Sequence, residues 1–293
     1  MNEIVNTIEN PLRPITEPRI ALVLGGGGAR GYAHIVALEA FDELGLRPAM
    51  ISGTSIGAII GAVYASGMSG RDIRAYLTEL LKDRRDIAAR VLQARAGRIA
   101  DLFQGGRLSP MQIDPVRLLD QLMPPRFAKD FAALEIPLTI VATDFWDRCE
   151  ARFCGGPLIS AVAASMAIPS LFRPVVRDGR VHVDGGAVNP LPFDVFTEPF
   201  DISVAIDVIG GPVHDETRHP VPGSFEATFG TLQILMNSIV TAKLMTARPD
   251  ILIRPDTDRF KVLDFFKAAE VLKASEPIRD EIKRKLDRIL ATL

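Results

Sequence analysis

Short, uninterrupted apolar runs alternate along this chain with longer segments in which apolar residues recur at helical spacing. Strands that are buried on both faces have this unbroken apolar character, whereas helices repeat their apolar positions at a period of 3.6 residues. The runs that predict strands are 19–24, 48–52, 137–143, 201–209 and 250–255, with shorter candidates at 151–153 and 181–183. The segments that predict helices are 33–44, 58–65, 158–167, 225–247 and a charged amphipathic stretch after Pro277. This alternation predicts an α/β fold with parallel strands.

Length and composition fit one large α/β domain or two small ones, and no stretch has the composition of a linker. The chain has 293 residues, of which 47% are apolar, enough for a sizeable core. Lysine and arginine together number 34 against 36 aspartate and glutamate residues, so the net charge is −2. A global basic field is absent, and we therefore expect no nucleic-acid partner.

The cysteines and the first residues of the chain bear on its location. Cys149 and Cys154 have no Cys or His partners at metal-binding spacing, which predicts reduced thiols. Residues 1–18 are polar and contain three prolines, which predicts a flexible lead-in without the apolar core of a signal peptide. No window approaches the roughly 18–20 uncharged apolar residues of a membrane span. These features predict a soluble, cytoplasmic protein whose contact with membranes is peripheral.

Residues 71–107 form the most polar region and carry an excess of lysine and arginine. Ile87, Val91, Leu92 and Ile99 form a narrow apolar stripe at helical spacing. A basic amphipathic helix can lie on an anionic membrane surface. A solvated helix packed on the domain has the same pattern, so both interpretations stay open.

The pentapeptide Gly53-Thr54-Ser55-Ile56-Gly57 reads G-x-S-x-G and lies between a predicted strand and a predicted helix. A nucleophile elbow needs this context, because the sharp strand-to-helix turn exposes the serine hydroxyl. The flanking glycines remove side chains that would collide inside the turn. A glycine-rich loop without chemistry has the same sequence pattern. Ser55 is therefore a candidate nucleophile whose assignment depends on the rest of the chain.

A second glycine loop, residues 25–31, joins the first predicted strand to its helix. Its exposed backbone amides, reinforced by the helix dipole, suit the binding of negative charge. The G-x-G-x-x-G spacing of 26–31 also matches a dinucleotide fingerprint, but the acidic residue expected at the end of the next strand is missing. A P-loop fails because no Gly-Lys-Ser/Thr follows. An oxyanion hole facing Ser55 remains, with close helix–strand packing as the structural alternative.

Four further polar residues are considered for the same region. Arg30 could orient the glycine loop, bind an anionic headgroup or form a surface salt bridge, whereas His34 has the apolar neighbours of a buried structural histidine. Asp184 follows the short strand 181–183 and precedes two glycines, which predicts a carboxylate on a sharp turn. An ordinary turn aspartate has the same signature. Asp144 is a second candidate acid at a strand end.

Four short segments carry the most specific signal in the chain. They are Gly26-Gly27-Gly28-Ala29-Arg30-Gly31, Gly53-Thr54-Ser55-Ile56-Gly57, Ala164-Ser165-Met166-Ala167-Ile168-Pro169-Ser170-Leu171-Phe172-Arg173-Pro174 and Asp184-Gly185-Gly186. Their combination and order closely resemble the patatin-like phospholipase family, in particular its bacterial members. The resemblance extends over roughly residues 19–255 and includes Gly31-Tyr32-Ala33-His34, Asn189-Pro190-Leu191-Pro192 and the segment 249–255.

The resemblance implies a three-layer α/β/α sandwich with a mostly parallel central sheet, and a single patatin-like catalytic domain over residues 19–293. It implies hydrolysis of an acyl ester of a phospholipid or other lipid, without a metal or organic cofactor. Ser55 would be the nucleophile and Asp184 the base of a dyad that contains no histidine. The implied oxyanion-hole residues are Gly26, Gly27 and Gly28, with Arg30 in support. Met166, Leu171 and Phe172 could line an acyl channel or belong to the core.

Two other functions remain open at this level. An α/β-hydrolase triad would run in the order Ser55, an acid such as Asp144, and a later histidine. The histidines that follow Ser55 are His182, His214 and His219. His182 shares the strand face of Asp184 and could orient it, whereas the other two lie in 210–223, a predicted mobile loop. From a different class, a lipid-binding or regulatory module could keep this fold without turnover.

Overall fold

The computed structural model describes residues 18–95, 112–212 and 221–292. Within these residues an eight-stranded sheet forms the centre of the molecule. Its strands are Ile20–Leu24 (β1), Met50–Thr54 (β2), Leu138–Asp144 (β3), Cys149–Phe153 (β4), Val175–Arg177 (β5), Arg180–Asp184 (β6), Ile202–Ile206 (β7) and Ile251–Ile253 (β8). Each predicted strand overlaps one of them. The unpredicted β5 has three residues, too few to reveal a period in the sequence.

Helices lie on both sides of this sheet. Those within the described residues are Ala33–Glu43 (α1), Ile56–Ala65 (α2), Gly70–Leu80 (α3), Arg84–Arg95 (α4), Pro115–Leu122 (α5), Leu158–Ser165 (α6), Ser224–Thr246 (α7), Ala268–Ser275 (α8) and Pro277–Leu290 (α9). Gly45 follows α1 with a φ of 67°, the left-handed conformation that closes many helix C-termini. Among the described helices, none combines the length and the apolar character that a bilayer crossing demands.

Two hydrophobic clusters, one on each face of the sheet, explain the unbroken apolar character of the strands. Leu22 and Leu24 of β1 belong to the larger cluster, which also contains side chains of α1, α2, α6, α8 and α9. Val23 belongs to the smaller cluster, together with Val240 of α7. Because neighbouring side chains point to opposite faces, a strand covered on both sides has to be apolar throughout. The predicted three-layer α/β/α sandwich is confirmed.

The strand directions bring three chain segments to one edge of the sheet. The spatial order is β5-β6-β3-β2-β1-β7-β8, with β4 also paired to β3. The strands β1, β2, β3, β7 and β8 run parallel, so β1 and β2 end at the same edge. In contrast, β6 is antiparallel to β3 and ends at Asp184, opposite Ala142. The next residue back along β3, Val141, pairs with Thr54 at the end of β2.

The polar region 71–107 contains two helices in its described part, α3 and α4, rather than one amphipathic helix. Ile87, Val91 and Leu92 of the predicted stripe line an open cavity beside α4. Ile99 lies outside the described residues. So do residues 1–17 of the predicted lead-in, and residues 213–220 with His214 and His219.

Candidate active site

Ser55 forms the turn between β2 and α2 and has an unusual backbone conformation. Its φ of 55° and ψ of −120° are strained for a residue with a side chain. A Cβ on Gly53 would come within 2.6 Å of the Gly57 carbonyl oxygen, and a Cβ on Gly57 would collide with the Leu24 carbonyl. Both glycines are therefore required by the tightness of the turn. This geometry is that of a nucleophile elbow.

Hydrogen bonds hold both the amide and the hydroxyl of Ser55. The amide donates to the Ser165 hydroxyl at the end of α6, over 2.8 Å. Ser165 Oγ in turn donates to the Val141 carbonyl at 2.6 Å. The Ser55 hydroxyl donates to Asp184 Oδ2 at 2.6 Å. In the sequence, Ser165 is distinguished only by its place in the segment 164–174 and in a predicted helix of small residues.

Asp184 is a buried carboxylate with both oxygens engaged. Oδ2 accepts from Ser55, and Oδ1 accepts from the Gly186 amide at 2.7 Å. The Asp184 backbone carbonyl accepts from the Thr143 hydroxyl at 2.8 Å, which holds the end of β6 against β3. Burial raises the pKa of Asp184 to about 6, although the bonds from Ser55 and Gly186 act to lower it. The nearest charge-bearing partner of Ser55 is thus a carboxylate of increased basicity.

The glycine loop after β1 is anchored on either side of Gly27 and Gly28, where the Ala29 amide donates to the Val262 carbonyl at 2.8 Å. The Gly25 and Gly26 amides donate to the carbonyls of Ile206 and Pro190, at 3.1 and 2.9 Å. Among the described residues, the amides of Gly27 and Gly28 have no hydrogen-bond acceptor. Both residues line a cavity together with Ser55. Within the described residues, the Gly26 amide is thus used inside the loop, whereas the amides of Gly27 and Gly28 are available; the oxyanion hole of Gly26, Gly27 and Gly28 stays a prediction.

Arg30 and His34 support this loop from behind. Arg30 is fully buried, and its Nη1 donates to the Gly211 carbonyl at 3.4 Å. Burial lowers the pKa of Arg30 to about 10, opposed by the nearby carboxylates of Asp258 and Asp207, so the side chain stays charged at neutral pH. His34 Nε2 donates to the Gly25 carbonyl at 2.8 Å. Burial lowers the pKa of His34 to about 4, which leaves this histidine neutral and structural.

The other candidate acid, Asp144, and the candidate histidine, His182, make contacts outside the Ser55–Asp184 pair. Asp144 accepts from Arg180 at 2.9 Å and from the Asp147 amide at 3.0 Å. His182 packs edge-on against the Phe153 ring, with ring centroids 5.1 Å apart. It does not hydrogen-bond to Asp184, whose two carboxylate oxygens accept from Ser55 and Gly186. Within the described residues, no histidine is hydrogen-bonded to the Ser55–Asp184 pair.

A polar network that runs from the buried Asn189 to the exposed Asp194, not anticipated from the sequence, connects α7 to the elbow. The Thr54 hydroxyl donates to the backbone carbonyl of Asn189 at 2.8 Å. The Asn189 side chain accepts from Lys243 of α7 at 2.6 Å and donates to Asp194 at 3.0 Å. Lys243 also pairs with Asp194 at 2.5 Å. The residue before Ser55 and the helix that covers it therefore share one set of hydrogen bonds.

Within the described part of the chain, Ser55 lines two cavities. The larger, about 700 Å³, is lined mostly by apolar side chains of α2, α3, α4 and α5. Met166, Leu171 and Phe172 lie in its wall, and Met166 and Phe172 also belong to the larger hydrophobic cluster. The smaller, about 170 Å³, lies beneath α7 and contains Asp184 and Gly186 in its wall. This arrangement places the Ser55 hydroxyl, the amides of Gly27 and Gly28 and apolar space together.

Comparisons with known proteins give relatives along most of the chain. A family model described as Patatin-like phospholipase matches residues 22–197. An uncharacterised NTE family protein of Mycobacterium tuberculosis is 36% identical over 208 residues, which are 70% of this chain and 54% of that protein. Patatin-like phospholipase domain-containing protein 6 of Homo sapiens is 32% identical over 185 residues, 62% of this chain and 13% of that protein. The chain therefore spans about half the length of the first relative and far less of the second.

Among solved structures, VipD from Legionella pneumophila superposes with a TM-score of 0.50 at 16% identity. The match covers 93% of this chain and 67% of VipD. At this identity the similarity shows a shared fold alone.

Proposed function

Because the chain belongs to the patatin-like phospholipase family, we propose that it hydrolyses carboxylic esters of lipids, with Ser55 as nucleophile and Asp184 as its base. The observation that carries the proposal is the 2.6 Å hydrogen bond from Ser55 Oγ to Asp184 Oδ2. A serine hydroxyl is a weak nucleophile until a base takes its proton. This bond supplies the base within direct reach, and the strained elbow presents the hydroxyl to an apolar cavity.

In the first half-reaction, Ser55 Oγ attacks the carbonyl carbon of the ester while its proton passes to Asp184 Oδ2. The tetrahedral intermediate then breaks its bond to the alcohol oxygen, and Asp184 returns the proton to that oxygen. The products of this half are a free alcohol and an acyl group on Ser55. A pKa of about 6 suits Asp184 for both transfers, because the carboxylate is ionised at neutral pH and is more basic than an exposed aspartate.

The amides of Gly27 and Gly28 are our candidates for the oxyanion hole. They have no acceptor in the described structure and line the same cavity as Ser55. Loss of one such donor in a comparable site costs about 2.7–4 kcal/mol of transition-state stabilisation. Gly26 and Arg30 would support the loop, through the Pro190 carbonyl and the Gly211 carbonyl respectively.

In the second half-reaction, a water molecule attacks the acyl carbonyl carbon while Asp184 takes its proton. The intermediate expels Ser55 Oγ, which recovers the proton from Asp184, and the fatty acid leaves. The same carboxylate thus acts as base and acid in each half, so no histidine is needed for proton balance. The contacts of His182 with Phe153, away from the Ser55–Asp184 hydrogen bond, support this two-residue mechanism over a triad.

The test compares the wild type with Ser55→Ala and Asp184→Asn on p-nitrophenyl butyrate and palmitate, with folding checked by circular dichroism. We expect both folded variants to lose about a thousandfold or more in kcat, as when a unit of the catalytic machinery is removed. A fluorophosphonate probe should label the wild type at Ser55.

Other results would redirect the assignment. Wild-type rates in Asp184→Asn, with loss of activity in His182→Ala, would restore a histidine triad. An unlabelled wild type that hydrolyses neither these esters nor phospholipid vesicles would favour the lipid-binding or regulatory module.

A further inference from the structure

The two cavities at Ser55 share only a narrow part of their walls. Ser55, Gly28 and Ile168 line both. The larger cavity continues along α2 through Ile59 and Val63. At about 1.5 Å of helical rise per residue, Val63 lies about 12 Å from Ser55 along the helix axis. An ester bound at Ser55 therefore has apolar space on two sides, one deep and one small.

Asp184 lies in the wall of the smaller cavity and not of the larger one. Because of this asymmetry, the alcohol and acyl parts of a bound ester face different cavities. When the ester bond breaks, the alcohol oxygen takes the proton that Asp184 received from Ser55. That oxygen must then face Asp184, on the side of the smaller cavity. The acyl chain, on the other side of the carbonyl carbon, extends into the larger cavity.

The smaller cavity has the chemistry of a hydrocarbon site. Leu232, Leu235, Met236 and Ile239 of α7 form one wall, and Pro169 and Val183 lie in the rest of the lining. The polar side chains in the lining are those of Ser55, Asp184, Arg30 and Gln233. The Gln233 amide oxygen accepts from Arg30, whose Nη1 also donates to the Gly211 carbonyl. A hydrocarbon arm would be stabilised by contact with this wall, whereas a fully polar alcohol would not.

From this arrangement we infer that the space beneath α7 is a leaving-group subsite for a second hydrocarbon arm of the substrate. The inference rests on the proposed function and narrows its substrate class to lipid esters with two apolar arms. A long acyl chain occupies the larger cavity. The alcohol that is released carries the second hydrocarbon arm, which is shorter or enters the smaller cavity only in part. Diacyl lipids are then better substrates than single-chain lipids with the same acyl group.

Two neighbouring residues of α7 provide a matched pair for the test. Ile234 and Leu235 are each 54% exposed, but only Leu235 lines the smaller cavity. The substitutions Leu235→Ser and Ile234→Ser make the same chemical change at half-exposed positions, so folding should be affected little and equally. The substrates are octanoate esters of methanol, butanol and octanol in one detergent at fixed concentration, with octanoate release measured.

We expect wild-type kcat/KM to rise about tenfold or more from the methyl to the octyl ester, as apolar contacts in a pocket discriminate by about 10- to 200-fold. Leu235→Ser should flatten this dependence several-fold, and Ile234→Ser should keep it. In the same detergent, Leu235→Ser should also lower the preference for a diacyl phospholipid over its lysophospholipid. Equal effects of the two variants, or a wild-type rate independent of alcohol length, would overturn the inference.

Two neighbouring alanines of α4 provide a matched pair of positions for testing where the acyl chain binds. Ala88 and Ala89 are both exposed, and only Ala88 lines the larger cavity. In a p-nitrophenyl ester series, Ala88→Phe should shift the optimum to shorter acyl chains without changing the dependence on alcohol length. Ala89→Phe should leave both unchanged. A change in the alcohol series caused by Ala88→Phe would contradict the assignment of the two sides.

Hydrolysis of p-nitrophenyl butyrate by wild type, abolished in Ser55→Ala, distinguishes failure of the subsite from failure of the proposed function. If it is present and alcohol length has no effect, the proposed function stands and the subsite is refuted. If no ester is cleaved in a Ser55-dependent way, the proposed function fails and the subsite with it.

Discussion

The environment of Asp184, more than its identity, determines what this carboxylate can do. An exposed aspartate has a pKa of about 3.9 and is a poor base. Burial raises the pKa of Asp184 to about 6, while hydrogen bonds from Ser55 and the Gly186 amide keep the ionised form accessible. Gly186 is part of this balance, because a Cβ there would lie 2.9 Å from Asp184 Oδ1. The proposed mechanism depends on this intermediate basicity.

The first prediction is a pH dependence of activity. Since the base must be ionised, kcat/KM for p-nitrophenyl butyrate should rise with pH through a midpoint near 6 and then stay level toward pH 9. A rate profile from pH 4.5 to 9 measures this. A midpoint near 4 would show an unperturbed carboxylate, and a midpoint that disappears in His182→Ala would identify a histidine base.

The pH dependence of thermal stability tests the raised pKa of Asp184 independently of activity. A carboxyl whose pKa is about 6 when folded and about 3.9 when unfolded stabilises the fold fully below pH 4, and this contribution is lost as pH rises through 6. The loss is on the order of 3 kcal/mol. The isosteric Asp184→Asn should therefore have a higher Tm than wild type at pH 8, and the difference should disappear by pH 4. A constant difference would contradict the raised pKa.

Contacts between distant elements assemble the site. Ser165, at the end of α6, accepts from the Ser55 amide and donates to Val141 of β3, so one hydroxyl joins three elements. Such a contact has no equivalent within any one segment of the sequence. The orientation of the elbow thus depends on how α6 packs against β3.

The second prediction is that Ser165→Ala lowers activity by more than its effect on stability explains. The substitution leaves the buried Ser55 amide without a partner, which costs about 1–3 kcal/mol. A displacement of the nucleophile by a fraction of an ångström should lower kcat by about 10- to 100-fold. Steady-state kinetics and thermal denaturation measure the two effects.

Ser66→Ala is the matched control. Ser66 is also buried, accepts from the Ala128 amide at 3.0 Å and donates to Ala62 at 2.7 Å, but it lies after α2, at the helix end away from Ser55. This variant should lose a similar amount of stability and keep its kcat. Equal loss of kcat in both variants would show that Ser165 acts through general stability.

Charged residues attach the C-terminal helix to the body of the molecule. Glu39 of α1 accepts two bonds from Arg74 of α3, both at 2.6 Å, and one from Arg279 of α9 at 2.5 Å. Burial acts to raise the pKa of Glu39, but the hydrogen bonds from both arginines hold it below its ordinary value. Its contribution to stability is thus present above the unfolded pKa and lost as pH falls.

The third prediction separates this cluster from the site. Glu39→Gln should lower the free energy of unfolding by about 1.5–3 kcal/mol, because it weakens charged hydrogen bonds at a nearly buried position. It should leave kcat on p-nitrophenyl butyrate unchanged. Urea denaturation at pH 7 measures the first effect.

Glu43→Gln, also on α1, is the exposed counterpart. Glu43 pairs with Arg279 and Lys283, but its side chain is 37% exposed, so the loss should be about 0–1 kcal/mol. A reduced kcat in either variant would show that α9 affects the site at a distance.

Local signals in the sequence were sufficient for most of the strands and helices and for the tight turn at Ser55. The apolar periods of strands and helices arise because neighbouring residues are buried together. The turn at Ser55 is recognisable in the sequence because only glycine fits at Gly53 and Gly57. The glycine loop was recognised in the same way. β5 was not predicted because three residues carry too little pattern, and the two helices within 71–107 were not separated.

Only the tertiary structure decided which groups meet. Ser55 and Asp184 are 129 positions apart, and their hydrogen bond requires β6 to run antiparallel beside β3. Likewise, the Gly26 amide is taken by Pro190, which no pattern near the loop could reveal. Backbone preference is a property of adjacent residues, whereas a hydrogen-bond partner or the wall of a cavity is a property of packing. For that reason the two cavities, and the side of Ser55 on which Asp184 lies, emerged only from the folded chain.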